Sequence, residues 1–537
     1  MGDIKPVEMP LTFTMALAWD INSINFETIP SFLQDYATRD YGAELADEIA
    51  SLLFAHSHLL GLRKYEMIQP DTYSIKNFQE AERVLERWRV IADQAIDLRD
   101  RIADTHKAAF HHVAYYPIVA GYNYHRIALG QAKNKQYAFE RRNATNTIAQ
   151  EVLQAFERDQ DLVEEYDTIA NGKWAGMTCT PKFDMDIATW VPPASDVVSS
   201  LSYVQQRQDS DPTIGNLGIF VENSDTAQRQ GRVCGSTHTA MPSMGMFSPV
   251  MPQFSPYGPE SRVVELFHRG DHRKPIEWSI KVPHDWVKVS QSSGVLDKEG
   301  QQQRLHVSID WSAVPQDFDE TVQLHVKWNP DPYFDLIHLP IFNKLVPANF
   351  QGFPEIASYI SIEAPHFQTS SQETICFRHI PYLGSRSESG SLALRPYVSA
   401  RSAREAAKQA FAEYNIFIFS ESQDPWTATL YINGSLDTDP TLPMEVSLSI
   451  DDVQPEFSRV LGEATAQEGN YPPGWRAKVA DHVWKKDIDL GVLNKGKHVL
   501  RWRVSSPEVY LEKIVVHRGV VESYLGPPET RLVGTGR

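Results

Sequence analysis

Histidines, cysteines and tryptophans are the residues here whose types and spacing could carry chemistry. His56 and His58 stand two apart in a helical stretch, so they point in different directions and cannot chelate one ion together. His111 and His112 are adjacent and fail for the same reason, and His125 has no evident partner. Ordinary core or surface histidines are the expectation. Three cysteines, Cys179, Cys234 and Cys376, are scattered without any Cys-x-x-Cys. That spacing excludes a disulfide scaffold and a cysteine zinc site. A single Cys179–Cys234 bridge stays open, with unpaired buried thiols as the simpler reading. No metal or cofactor is expected. Arg269-Gly270-Asp271 spells an adhesive tripeptide between two strand candidates, but Gly-Asp is equally the chemistry of a hairpin turn. His268 and His272 flank that turn without a supporting cluster of acids. The rings of Trp426, Tyr431, Trp475, Trp484, Trp502 and Tyr510 alternate with polar residues. Such rings either stack on sugars or fill a sandwich core, and the core is the commoner use. Trp426, Trp475 and Trp484 are carried forward as candidate carbohydrate contacts.

These residues must be placed by several domains, because 537 residues exceed what one core organises. Apolar residues make up 42% and charged residues 22% of the chain, the balance of an ordinary globular protein. The net charge of −18 repels a polyanion, so nucleic acid is not an expected partner. There is no apolar run of transmembrane length, so no membrane partner is expected. The opening Met1-Gly2-Asp3-Ile4-Lys5-Pro6 has no signal-peptide core, and Pro6 spoils a myristoylation signal. Localisation is therefore unknown. The sequons at Asn143 and Asn433 are about what chance supplies.

The first third of the chain reads as helices. Ile29, Phe32, Leu33, Tyr36 and Ala37 share one face, and Gly42 stops that helix. A second runs from about Ala43 to Leu60, with Leu45, Ile49, Leu52, Leu53 and His56 inward. A third starts near Ser74 and carries a seam of Phe78, Ala81, Leu85, Trp88, Ala92 and Ala95. A fourth, Thr105 to Asn134, holds Pro117 and should kink there. A fifth runs from Gln136 to about Tyr166. From Val263 the period changes to two. Strands are predicted at 263–267, 276–280, 286–289, 305–309 and 322–326, at the spacing of an immunoglobulin-like sandwich. One earlier strand, 215–222, carries glycines that suit close packing. A last β-rich region begins after Phe353-Pro354. The fold class is multidomain, α then β: an antiparallel helical bundle followed by two β-sandwich domains.

Several motifs resemble glycoside hydrolase family 115, the α-glucuronidases that remove glucuronic or 4-O-methylglucuronic acid from xylan. Asn171-Gly172-Lys173-Trp174, then Met177 and Trp190-Val191-Pro192-Pro193, resemble the end of that family's helical domain. Gly2-Asp3-Ile4-Lys5-Pro6-Val7-Glu8 resembles the loop after the last strand of its (β/α)8 barrel. Arg63-Lys64-Tyr65-Glu66, Pro70-Asp71-Thr72-Tyr73, Tyr116-Pro117 and Ala144-Thr145-Asn146 follow in the family's order. The ending Val509–Val516, then Ser523-Tyr524-Leu525-Gly526-Pro527-Pro528-Glu529, resembles its final strand and tail. The chain departs at Gly176–Lys182, where the family's His-Met-Met-Asp-Gln-Thr-His is replaced and the polar support it implies is put in doubt.

The resemblance covers the family's C-terminal half. It implies 1–20 as the remnant of a barrel end and 21–172 as a five-helix bundle. It further implies 173–260 as a junction and covering segment, 261–350 as an immunoglobulin-like sandwich, and 351–537 as a carbohydrate-binding-like sandwich. It implies Asp3, Lys5 and Glu8 at the rim of a substrate pocket, although capping and turn roles suit them equally. No strand–helix alternation is present to carry the opposed acids that glycoside chemistry requires, so no catalytic residue is assigned. A chain alone without hydrolytic activity is expected, from a truncated gene or a late start codon. Xylan or glucuronoxylan fragments and a second copy of the chain are the implied partners. Tyr359-Ile360-Ser361-Ile362-Glu363-Ala364 resembles the opening strand of carbohydrate-binding sandwiches that hold a structural calcium. Pro365 replaces the second acid of their Glu-Ala-Glu pattern and weakens that expectation.

Overall fold

The computed structural model describes residues 8–183, 191, 193–204, 215–224, 227, 248–271, 273–329, 334–371, 374–396, 407–435, 437, 443–464 and 471–534. Helices come first: α1 (Glu8–Trp19), α2 (Ile29–Tyr41), α3 (Ala46–Leu62), α4 (Glu80–Arg101), α5 (Asp104–Phe110), α6 (Tyr116–Phe139) and α7 (Ala144–Gly172). The Asn25 side chain accepts from the Thr28 amide and Thr28 returns the bond, which fixes the approach to α2. Gly42, at φ 87°, ends α2 with its N–H on the Thr38 carbonyl.

The bundle core follows the helical period. In α4, Ala81, Val84, Trp88, Ile91, Ala92, Ala95 and Leu98 are buried. Trp88 is the centre: a Cβ at Gly121 of α6 would stand 2.6 Å from its ring, so only glycine lets the two helices close. His56 and His125 pack on the same indole, at 5.7 and 4.7 Å between ring centres.

Three helix boundaries differ from the sequence reading. The third helix starts at Glu80 rather than Ser74, because Phe78 and Gln79 take positive φ. The expected single fourth helix is α5 and α6 joined by a π-helical turn, His111–Tyr115. Pro117 falls in the first turn of α6, where its missing N–H costs nothing, and the wide turn absorbs the bend. The fifth starts at Ala144, since Arg141 at φ 60° breaks the chain.

The first sandwich has strands β1 (Leu217–Val221), β2 (Ser261–His268), β3 (Ile276–Lys281), β4 (Val287–Val289), β5 (Ser293–Leu296), β6 (Gln302–Ile309), β7 (Asp319–Trp328) and β8 (Phe334–Phe342). They form two four-stranded sheets, β1-β2-β6-β4 and β5-β3-β7-β8. In β3, Ile276, Trp278 and Ile280 are buried while Glu277, Ser279 and Lys281 are exposed. Arg269-Gly270-Asp271 is not a hairpin, because β2 and β3 lie in different sheets. It is buried as well: Arg269 donates to the carbonyls of Gly215 and Ala227. His272 and Cys234 lie outside the described residues. Cys179 is exposed, against the expectation of a buried thiol, and Cys376 is buried.

The second sandwich begins with β9 (Phe353–Pro354), β10 (Tyr359–Glu363), β11 (Thr369–Ser370), β12 (Cys376–Ile380), β13 (Ser391–Arg395) and β14 (Ala412–Ile418). It continues with β15 (Trp426–Asn433), β16 (Glu445–Ile450), β17 (Ser458–Arg459), α8 (Trp475–Asp481), β18 (Val483–Gly491), β19 (Gly496–Val504) and β20 (Tyr510–His517). One sheet is β12-β13-β20-β15-β18 with β10 also on β20; the other is β11-β14-β19-β16-β17 with β9 on β14. Trp426, Trp484, Trp502 and Tyr414 fill the space between.

Bundle and first sandwich meet at Arg142, which is almost fully buried. Its guanidinium pairs with Glu140 and Glu265 and lies 4.1 Å from the Tyr137 ring centre and 4.3 Å from that of Phe267. Burial alone would push the Glu265 carboxyl up, but Arg142 and Arg304 hold it below the usual range.

Burial lowers His56 to about 3 and His125 to about 4, the latter despite its bond to the Gly121 carbonyl. An unfolded chain takes up those protons near pH 6.5. The folded state therefore binds fewer protons between about pH 6.5 and 4, and stability falls as pH falls through that window. At pH 5 each histidine should cost about 2 kcal/mol. Calorimetry at about pH 7 and pH 5 should show the bundle melting lower at the acid value, and an unmoved transition contradicts this account.

Candidate functional site

The last carbonyls of a helix have no intrahelical donors. At the end of α3 the donors come from far along the chain. Arg386 donates to the Leu62 carbonyl at 3.0 Å, His482 Nδ1 lies 3.0 Å from the Gly61 carbonyl, and the Tyr524 hydroxyl lies 3.2 Å from that of Leu62. Arg386 also donates to the Asp481 carbonyl at the end of α8. Arg63 pairs with the Asp481 carboxylate, and the Arg386 and Arg63 guanidiniums lie 4.3 and 5.6 Å from the Tyr524 ring centre. Close by, the Glu80 carboxylate is fully buried and accepts from Ser74 N at 2.7 Å, Ser523 Oγ at 2.6 Å, Tyr524 N at 3.1 Å and Leu525 N at 2.7 Å. The start of α4 thereby holds the C-terminal tail.

Beside this knot a cleft of about 530 Å³ opens between α3 and the second sandwich. Phe54, Ser57 and His58 of α3 form one wall, while Trp475 and Lys478 of α8 and Trp484 of β18 form another. The Trp475 and Trp484 ring centres are 5.3 Å apart, and Tyr471 stacks on Trp475 at 5.8 Å. Trp484 Nε1 donates to the Ser435 carbonyl. Tyr382 packs edge-on to Phe54 at 5.2 Å, is 54% exposed, and holds a φ of 64°. A non-glycine residue there is strained and persists only because its neighbours hold it. The described lining residues include no Asp or Glu. Burial lowers the His482 imidazole although the Gly61 carbonyl favours its proton, and burial and the nearby Arg87 lower that of His58. The cleft suits a neutral, partly apolar ligand with few charges.

The structure separates the residues the sequence proposed. Trp475 and Trp484 come together in the cleft. Trp426 is buried in the sandwich core, with Arg518 4.8 Å from its ring centre. Asp3 and Lys5 lie outside the described residues. Glu8 opens α1, half-buried, and its carboxyl is raised by burial and by Asp40, more than Arg39 offsets. It is not part of the cleft lining. Sequence reading missed Phe54, His58, Tyr382 and Lys478, which only the docking of α3 on the sandwich brings together.

One group of possible metal ligands exists among the described residues: Glu363, His366 and Glu529, whose ligand atoms lie within 4.8 Å of one another. These atoms do not fit a divalent ion. Glu363 already accepts from Ser387 Oγ and the amides of Glu388 and Ser389, and Glu529 from His366 and the Glu363 amide. The buried Lys513 stands opposite Glu363 in the β10–β20 register and donates to the Leu525 and Pro527 carbonyls. Burial lowers that ammonium to about 8 against the pull of Glu363. A cation is thus already built into the place.

Two family models match this chain: glycosyl hydrolase family 115 over residues 1–67, and the glycosyl hydrolase family 115 C-terminal domain over residues 352–529. Both matched stretches belong to one glycoside hydrolase family, glycosyl hydrolase family 115. A comparison with curated proteins finds no match. Among solved structures, a family 115 4-O-methyl-α-glucuronidase with specificity for decorated arabinogalactans is similar at 13% identity and TM-score 0.49. That match covers 97% of this chain and 45% of the other, so this chain spans less than half the length of that relative. The β-(1,4)-mannanase GH26-CBM35 of Podospora anserina is similar at 8% identity and TM-score 0.19, over 31% of this chain and 28% of that one. CBM35 from Paenibacillus barcinonensis is similar at 10% identity and TM-score 0.18, over 30% of this chain and 98% of that one.

Glu80→Gln keeps the shape of the side chain but turns one acceptor into an amide that faces donors. It should destabilise the protein by about 2–4 kcal/mol and speed hydrogen exchange at the Tyr524 and Leu525 amides. Unchanged protection at those two amides would show that the tail is held elsewhere.

Proposed function

We propose that this chain is the accessory, C-terminal region of a family 115 α-glucuronidase, acting with enzymes that remove glucuronic or 4-O-methylglucuronic acid side chains from xylan. By itself it does not hydrolyse that linkage. The observation that carries this reading is what the described residues contain: a helical bundle, two antiparallel sandwiches and an acid-free cleft. Inverting glycoside hydrolysis needs two carboxyl groups about 6.5–9.5 Å apart across the sugar. The cleft offers neither the acid nor the base.

A second reading, a non-catalytic scaffold that holds glycan and pairs with a second copy, is favoured by two features. The cleft is lined by aromatic side chains, the surface that stacks on sugar rings. Leu11, Met15 and Trp19, four residues apart on α1, are 49, 64 and 93% exposed, an apolar stripe suited to self-association.

The purified chain incubated with 4-O-methylglucuronoxylan oligosaccharides should release no glucuronic acid above a blank, read by anion-exchange chromatography. Steady release with turnover would overturn the first reading. In light scattering the chain should run as a dimer and Trp19→Glu as a monomer; identical masses would remove the α1 stripe from the account.

A further inference from the structure

Three donors without acceptors meet in one small cavity. Its volume is about 120 Å³, and its lining comes from the helical bundle and from both sandwiches. Arg262 of β2 is 2% exposed, and its Nε has no hydrogen-bond partner among the described residues. The buried Nε of Arg518, just after β20, has none either, and the Tyr359 hydroxyl of β10 has no acceptor. Burial raises the pKa of that hydroxyl, and the neighbouring Arg262 guanidinium partly lowers it. A guanidinium has only donors, so the phenol proton still needs an acceptor of its own. A buried donor left unpaired is costly, and all three face the same space.

The nearby carboxylates do not fill that need. Glu355 is engaged by the Phe419 amide at 2.8 Å, the Ser420 amide at 2.9 Å and Ser420 Oγ at 2.6 Å. Glu222 accepts from the Val263 amide at 3.1 Å. Each stays 3.5 Å from its arginine, beyond a charge-assisted contact of about 2.7–2.9 Å. Glu222 lines the cavity and would oppose an anion, but burial raises its carboxyl more than Arg262 and the Val263 amide lower it, which weakens the opposition. Glu522, the other acid of the lining, is exposed to water, where salt screens its charge.

The backbone around the cavity is strained as well. Phe78, Asn223, Ala357 and Ser358 line it at φ of 55, 57, 45 and 70°, and none is glycine. Such conformations persist where the surroundings hold a site in shape. They come from all three bodies: Phe78 precedes α4, Asn223 follows β1, and Ala357 and Ser358 precede β10. The volume falls below the about 300–1,000 Å³ of ordinary small-molecule clefts and suits one small ion.

We propose that this cavity binds a small oxyanion, the size of phosphate or sulfate, whose oxygens accept from Arg262 Nε, Arg518 Nε and the Tyr359 hydroxyl. One ion would then tie β2 of the first sandwich to β10 and the end of β20 in the second. The inference goes beyond the glycan reading and is independent of it, since neither the aromatic cleft nor a hydrolytic acid enters it.

The test titrates phosphate, sulfate and chloride into the full chain by calorimetry, at one ionic strength set with gluconate, so that screening is equal throughout. Phosphate or sulfate should bind one to one and raise the melting temperature with concentration, as a ligand selective for the folded state does. Tyr359→Phe removes a hydroxyl that has no acceptor in the chain. It should therefore melt like the parent in gluconate, yet bind the oxyanion about tenfold more weakly, the loss of one such bond. Arg262→Gln should abolish binding, with circular dichroism to check its fold. An equal response to chloride would mark a nonspecific ion effect and overturn the proposal. So would an absence of binding by both oxyanions, or a Tyr359→Phe variant that binds them as tightly as the parent.

Discussion

The end of α3 is the constraint on which the arrangement of domains depends. Its final carbonyls receive no glycine cap and no water-facing turn. They receive Arg386, His482 and Tyr524, drawn from the loop after β12, the residue after α8 and the tail after β20. Buried carbonyls without donors would each cost a few kcal/mol. A bundle displaced from the second sandwich would expose three donors and orphan two carbonyls at once, so the docking has little freedom. The partial negative charge at a helix C-terminus also favours the Arg386 cation there.

Two buried ions fix the remaining contacts by the same logic. Glu80 gathers its donors from the tail, and Arg142 gathers its acceptors from the first sandwich and its own loop. Burying a charge is expensive, and such groups are weak evidence of net stability. What they do is penalise every misaligned docking, since a shift of a few ångströms leaves an unpaired ion. Lys513 serves the second sandwich similarly, as an internal cation between Glu363 and the tail carbonyls.

The periodic elements were legible in the sequence because burial leaves a pattern in it. Trp88 and its neighbours follow the helical repeat, and Ile276, Trp278 and Ile280 follow the strand repeat. Boundaries fared worse. Phe78 reads as part of a helical seam, yet its positive φ puts it before the helix begins; packing against Tyr359 from another domain overrides the local pattern. Arg269-Gly270-Asp271 reads as a hairpin, because nothing in three residues tells whether the next strand joins the same sheet. The cleft was half legible. Trp475 and Trp484 stood out by type, but Phe54 and Trp475 are separated by more than four hundred residues, and no local rule pairs them. The motifs Arg63–Glu66 and Ser523–Glu529 gave a hint, since both converge on the knot beside the cleft.

That convergence bears on how the cleft would work. Its walls belong to two domains, and a cleft between loosely joined domains must be ordered by its ligand, at a cost in affinity. Here the α3 wall is tied to the α8 wall by His482, Arg386 and Arg63 within a few residues of the lining. The separation of the Phe54 and Trp475 rings is therefore set before any ligand arrives. A weak contact such as one pyranose on one ring gains most from such rigidity, because little of its energy is lost in ordering side chains. The donors that cap α3 thus do two things at once: they satisfy a helix end, and they hold the aromatic walls at a fixed gap.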